Sequence, residues 1–557
     1  MEDQQARLDA LLAPGEPRAS ATGSAPASPS FSGFRDEDVA RADELAAAWV
    51  EHFDASQVLQ AAEGAIVADE VDAEVVRYAL LDHLAHHPRD GLRPPPLTVR
   101  APEKVVPSVS PETPDIAQQA AFEANPELRL AWWREDPGLN EHVEQWNVIY
   151  NAARPSSAER GGELFLYMHR QLLARYETER KALRLDPVQS WWPFVVASDQ
   201  WGYGSRGPNQ KWPEAPEMSA ERQRIFDAIE NGGYTDPSAL GAALAPWCRG
   251  GYGLFARMGG GMADPATAAR DPLYWRWHKA IDDLSASWQS HQPPHELADA
   301  PGVVVRKGIA DPFAAPSSAN IPHRSPDIML SRLSQIPEDW RPHLPEFGDA
   351  VFGGEHWDEE FNSTSYTTAE LHTWMADGRL DHDEFVYFLR VDNRGMDPAG
   401  VTVRIFLAAQ ELAEDRRMWL ELDKFRWVLK RGERAVIARP ASMSSVIRKP
   451  GVTPAFGDQD YCDCGLPANL LLPRGRIDGM KFRLLVMLTD WTVDKVPVDS
   501  RCGSFSLCGA RNGYPDARPM GYPFDRPYRD DRSVSQIIAS QANMASRDIT
   551  IRLLPSD

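Results

Sequence analysis

The sequence predicts a multidomain chain of the α plus β class: a helical N-terminal domain, a central four-helix bundle and a C-terminal β-sandwich. Three observations predict it. At 557 residues the chain exceeds one core, and roughly 150 residues per domain gives three or four. Apolar residues recur at three-and-four spacing up to about residue 345, the period of buried helix faces. Beyond that point apolar and β-branched runs of seven or eight residues, separated by Gly, Pro and Asp, take over, as in strands. With 43% hydrophobic and 25% charged residues, the composition is that of a soluble globular protein with a large core.

Residues 1–34 read as a disordered tail, since from about residue 13 they are rich in Ala, Ser, Pro and Gly. Residues 35–119 form the N-terminal helical domain. Its text is helical from Asp36 to His87, then breaks in the linker Gly91-Leu92-Arg93-Pro94-Pro95-Pro96-Leu97. His83, His86 and His87 close the last helix; there imidazoles complement the helix dipole, which is a better account of them than a metal cluster. Residues 120–345 are the bundle and carry Trp132, Trp133, Trp146, Trp191, Trp192, Trp201, Trp275 and Trp277, which core packing explains before any pocket does. Within it, residues 160–176 and 270–282 each read as an amphipathic helix with one histidine, His169 and His278. Bundles build metal sites from such inward-facing side chains. Residues 346–557 are the sandwich, with strands expected at 384–391, 401–407 and 482–488.

A net charge of −22 argues against nucleic acid and anionic membranes as partners. No apolar run reaches the roughly 18 residues of a membrane span. The N-terminus lacks the basic start and apolar stretch of a secretory signal, so the expectation is a cytoplasmic protein or one released without a signal peptide. Cysteine usage pulls the other way. Cys248 stands alone, but Cys462, Cys464, Cys502 and Cys508 form C-x-C and C-x5-C pairs. That spacing is awkward for zinc and reads as two disulfides, which suit an oxidising environment. Two weaker motifs carry little. Gly259-Gly260-Gly261 follows no strand, so a phosphate loop is not expected. Asp358, Glu359 and Glu360 read as a solvated loop before they read as a calcium site.

The chain resembles the superfamily of hemocyanins, phenoloxidases and hexamerins, the type-3 copper proteins. The resemblance rests on Arg134-Glu135-Asp136-Pro137-Gly138-Leu139-Asn140, the two histidine helices, Leu420-Glu421-Leu422-Asp423-Lys424-Phe425-Arg426, Cys462-Asp463-Cys464-Gly465, Met487-Leu488-Thr489-Asp490-Trp491, and Pro519-Met520-Gly521-Tyr522-Pro523-Phe524-Asp525-Arg526-Pro527. It implies an immunoglobulin-like sandwich with disulfides Cys462–Cys502 and Cys464–Cys508. It also implies a pair of copper ions between four helices, each held by three histidines. Matched residue by residue, the six ligand positions here are Val143, Asn147, His169, Ala256, Gly260 and His278. Only His169 and His278 keep imidazoles, so the resemblance implies a degenerate copper site.

Two functions follow as expectations, ahead of a tyrosinase-like oxidase. One is an enzyme of specialised metabolism acting on an aromatic small molecule, by non-oxidative chemistry as in the fungal cyclopenases or with a single metal ion. Zinc or copper would take His169 and His278 with His142, Glu144 or Asn147; with no metal, the histidines themselves would move protons. The other is a copper-free structural or carrier protein, as hexamerins are. Small residues at 256 and 259–261 predict a cavity rimmed by Trp146, Tyr167 and Trp277. Hemocyanins often form hexamers, so a homo-oligomer is an open option.

Overall fold

The computed structural model describes residues 2–13, 31–50, 54–68, 71–86, 92–106, 111–112, 114–150, 160–191, 216–258, 261–295, 297, 302–305, 327–336, 338, 352–353, 368–448, 465–496 and 516–555. The chain divides into two compact units, residues 1–166 with 188–285, and residues 167–187 with 286–557. The four clustered cysteines, Gly260, His87 and residues 356–360 lie outside the described residues.

The first unit is helical. It opens with α1 (Glu2–Leu12), α2 (Asp36–Val50), α3 (Ala55–Ala68) and α4 (Ala73–His86). Leu8, Leu11 and Leu12 of α1 bury into one cluster with Ala42, Ala46 and Trp49 of α2, Leu59 of α3 and Val76 and Leu80 of α4. This corrects the reading of residues 1–34 as a disordered tail at residues 2–12 and 31–34; residues 14–30 of that expectation lie outside the described residues. Leu8, Leu11 and Leu12 have the i, i+3, i+4 spacing of a helix face, and that face packs into the core. Ser32 is buried as well, with its Oγ donating to the Ala263 carbonyl at 2.5 Å.

Shorter helices follow, α5 (Leu97–Arg100), α6 (Ile116–Ala124) and α7 (Ala131–Arg134), and then α8 (Pro137–Ile149), α9 (Gly161–Ala182), α10 (Pro216–Glu230), α11 (Pro237–Met258) and α12 (Pro272–Ser290). Three of these begin on an Asp-Pro pair. The carboxylates of Asp136, Asp236 and Asp271 accept from the backbone N–H of Leu139, Ala239 and Leu273, each at 2.9 Å. The carboxylate satisfies an orphan donor, and proline fits the first helical turn without losing a bond. The sequence thus punctuates α8, α11 and α12, the helices that carry most of the candidate site.

The second unit holds the strands β1 (Val303–Val305), β2 (Ile328–Arg332), β3 (Phe352–Gly353), β4 (Glu370–Ala376), β5 (Arg379–His382), β6 (Phe385–Asn393), β7 (Ala399–Ala409), β8 (Leu420–Leu429), β9 (Arg434–Pro440), β10 (Met480–Asp490) and β11 (Met544–Leu553). One sheet runs β1-β6-β9-β3 with β2 also on β6; the other runs β5-β4-β11-β10-β7-β8. The pairs are antiparallel except β4 with β11. Ile405 sits opposite Val486 and Phe406 opposite Leu485. Phe406, Leu485 and Met487 pack with Trp419, Tyr522 and Phe524 into one core. The three expected strands are β6, β7 and β10. The boundary expected at 345 moves, because β1 and β2 hydrogen-bond to β6 well before it. Three-to-five-residue strands are too short to set a period. The second unit also takes Tyr167 to Ala182 of α9, where Arg175 donates to the Leu472 carbonyl at 2.5 Å and pairs with Glu179 at 2.8 Å.

Candidate functional site

His278 lies on the inner face of α12, 2% exposed. Its Nε2 is hydrogen-bonded to the hydroxyl of Tyr252 on α11. Tyr274, one turn earlier on α12, lays its ring beside the imidazole with centroids 4.0 Å apart. Phe34, from the segment leading into α2, stacks on Tyr252 at 4.4 Å and 10°. Burial, reinforced by Tyr274 and Cys248, raises the Tyr252 phenol well above its ordinary range. Burial raises the Tyr274 phenol as well. Tyr252 is therefore a neutral phenol, and its hydroxyl shares one hydrogen bond with the imidazole at Nε2. The arrangement is a phenol–imidazole pair within an aromatic wall, able to hold or relay one proton at Nε2.

The neighbouring indole is part of the core. Trp277 has its ring 4.5 Å from Trp247 and 6.1 Å from both Trp191 and Phe255. A Cβ on Gly251 would come within 2.4 Å of it. Trp277 therefore fills the interior, correcting its placement on a cavity rim. Aromatic side chains of this bulk bury wherever a facing glycine leaves room.

The other expected residues fall on α8, α9 and α11. His142 and Glu144 both lie on α8 and are both buried. Two residues apart on a helix, they project roughly 200° apart and cannot serve one centre together. Glu144 is held by Arg100 of α5 through a two-pronged ion pair, one arm at 3.0 Å. Its carboxylate is thus committed to a guanidinium, which removes it as an open acid or metal ligand. The Asn147 amide donates to the Val143 carbonyl at 2.8 Å, turned back onto its own helix. Val143 and Ala256 are buried and carry no donor. His169 is buried on α9 and belongs to the second unit, whereas His278 belongs to the first. Tyr252, Tyr274, Phe34 and Arg100 were missed as site residues. The i, i+4 spacing of Tyr274 and His278 was the available signal.

Family models agree with this layout. The model described as "Hemocyanin, copper containing domain" matches residues 112–244, the common central domain of tyrosinase matches 253–291, and "Hemocyanin, ig-like domain" matches 359–553. The chain belongs to the hemocyanin superfamily. As such it is 28% identical over 640 residues to the hemocyanin D chain of Aphonopelma sp., covering 96% of this chain and 94% of that one. It is 29% identical over 563 residues to hemocyanin II of Limulus polyphemus, covering 83% of each. The crystal structure of AsqI with Zn shares the fold of this hemocyanin-like chain, with a TM-score of 0.71 and 20% identity over 100% of both chains.

Proposed function

We propose that this hemocyanin-like protein is an enzyme of specialised metabolism that transforms an aromatic small molecule without dicopper chemistry. The observation that carries the reading is the buried Tyr252–His278 hydrogen bond. Nε2 of His278 is poised against a neutral phenol. That pair, walled by Tyr274 and Phe34, supplies a proton donor and acceptor in a water-poor, aromatic setting.

The donors present do not fit a pair of copper ions. Among the matched positions that the structure describes, Val143 and Ala256 offer no ligand atom, and the Asn147 amide is spent on its own helix. Among the described residues no group of three His, Cys, Asp or Glu side chains is arranged to hold a metal. We therefore route the chemistry through the protein's own groups: His278 accepts a proton at Nε2, and Tyr252 returns one. A second reading, a mononuclear zinc enzyme, draws its support from AsqI, whose crystal structure contains zinc. It requires His278 to exchange Tyr252 for the metal. A homo-oligomer acting on a small molecule, in the cytoplasm or after release, completes the proposal.

The test combines metal analysis of the purified chain with binding and turnover of a library of aromatic small molecules. Expected are substoichiometric copper, and a loss of turnover of about a hundredfold in His278→Ala and Tyr252→Phe, with His169→Ala assayed alongside. One zinc per chain that disappears in His278→Ala selects the second reading. Two copper ions per chain with a peroxide absorption band would sink both. Variants that lower only stability, with no ligand found for the wild type, would leave a structural or carrier protein.

A further inference from the structure

Away from His278, the second unit gathers guanidiniums around a buried phenol. Arg170 of α9 donates from Nη2 to the Arg416 carbonyl at 2.8 Å. Arg416 spends Nη1 on Gln289 Oε1 at 3.2 Å and on the Phe524 carbonyl at 2.9 Å. Both acceptors are neutral. Among the described residues, Arg416 has no carboxylate partner within ion-pair distance. Burial, then the charges of Arg170 and Arg417, lower its pKa to about 10. The carboxylate in this neighbourhood, Asp525, is already held by His295 at 2.5 Å and by Arg526 at 2.9 Å.

Tyr528 is the second, independent observation. It is 6% exposed, and among the described residues its hydroxyl has no hydrogen-bond partner. Its charged neighbours are Asp525, Arg416 and Arg170. A buried hydroxyl without a partner is costly, so native proteins pair such groups or leave them for a ligand or water. A neutral water would answer the hydroxyl but not the crowded positive charge.

We propose that Arg416 and Tyr528, with Arg170 alongside, form a binding site for a small oxyanion of the phosphate or sulfate kind. The anion accepts one hydrogen bond from the Tyr528 hydroxyl and charge-assisted bonds from the remaining N–H groups of Arg416. The site is independent of the His278 pair, so the two proposals fail separately.

The experiment titrates phosphate and sulfate into the full chain by calorimetry, at ionic strength held constant with chloride, and follows Tm in parallel. One saturable site and a rising Tm are expected. Arg416→Gln weakens it by about tenfold or more, and Tyr528→Phe by about threefold, the usual values for losing a charged and a neutral hydrogen bond. If Arg416→Gln fails to fold, Tyr528→Phe decides, since it keeps the ring and its packing. No saturable binding by the wild type, or equal binding by wild type and variants, overturns the site.

Discussion

At the scale of single residues, burial decides what each functional group can do. Cys248 sits among Trp277, Tyr252 and Tyr274, and burial pushes its thiol up to about 12. The thiolate is the reactive species, so Cys248 stays unmodified by a thiol reagent at pH 8 in the native chain and reacts once the chain is unfolded; peptide mapping by mass spectrometry reads both states. The Arg100–Glu144 pair gives the complementary case. Both side chains are more than nine-tenths buried, so Glu144→Gln strands a guanidinium and costs about 3 kcal/mol, measured by urea unfolding. Turnover per folded molecule should not change, because Glu144 faces Arg100 and not His278. His142 and Glu144 were paired as candidates because they are close in sequence. The helix repeat separates them.

At the scale of elements, the helices are held as much by their neighbours as by propensity. α11 contains Pro246 and four glycines between Gly241 and Gly253, a composition that would not persist as an isolated helix. Close packing explains part of it. A Cβ on Gly241 would meet the Gly162 carbonyl oxygen of α9 at 2.0 Å, and one on Gly162 would meet the Ser238 carbonyl oxygen at 2.2 Å. Backbone lies directly on backbone there, with no side chain free to yield. Gly241→Ala is therefore expected to destabilise the first unit by about 1–3 kcal/mol, whereas alanine at Gly64, which has open space, leaves stability unchanged or slightly higher. Chemical denaturation of the two variants side by side tests this contrast.

At the scale of the whole molecule, charge sets the limits. The net charge of −22 keeps the chain dispersed at neutral pH, and the sequence pI of about 5.1 places its solubility minimum close to pH 5. Below that a specific loss adds to the general one. Burial alone would raise the Asp516 carboxyl, but the charges of Arg404 and then Lys424 outweigh it and hold it well below the ordinary carboxylate range. Its pairing contributes fully above about pH 4, where the unfolded carboxyl is ionised, and is lost as pH falls from there towards the depressed folded value. The Tm of the second unit should fall steeply below pH 4, and Asp516→Asn, already destabilised at neutral pH, should show a shallower fall.

The sequence by itself determined the class and the order of parts. The helix expected at 160–176 is α9 (Gly161–Ala182), the one expected at 270–282 is α12 (Pro272–Ser290), and the strands at 384–391, 401–407 and 482–488 are β6, β7 and β10. Apolar periodicity and Asp-Pro starts are local signals, and they survive folding because neighbouring residues carry them. Only the tertiary structure recruited α1 to the N-terminal core, joined β1 and β2 to β6, closed Trp277 into the interior, gave Glu144 to Arg100 and set Tyr252 against His278. Each of these joins residues far apart in the chain, where pairing depends on which faces bury together. A one-dimensional pattern holds no information about the partner's side of such a contact.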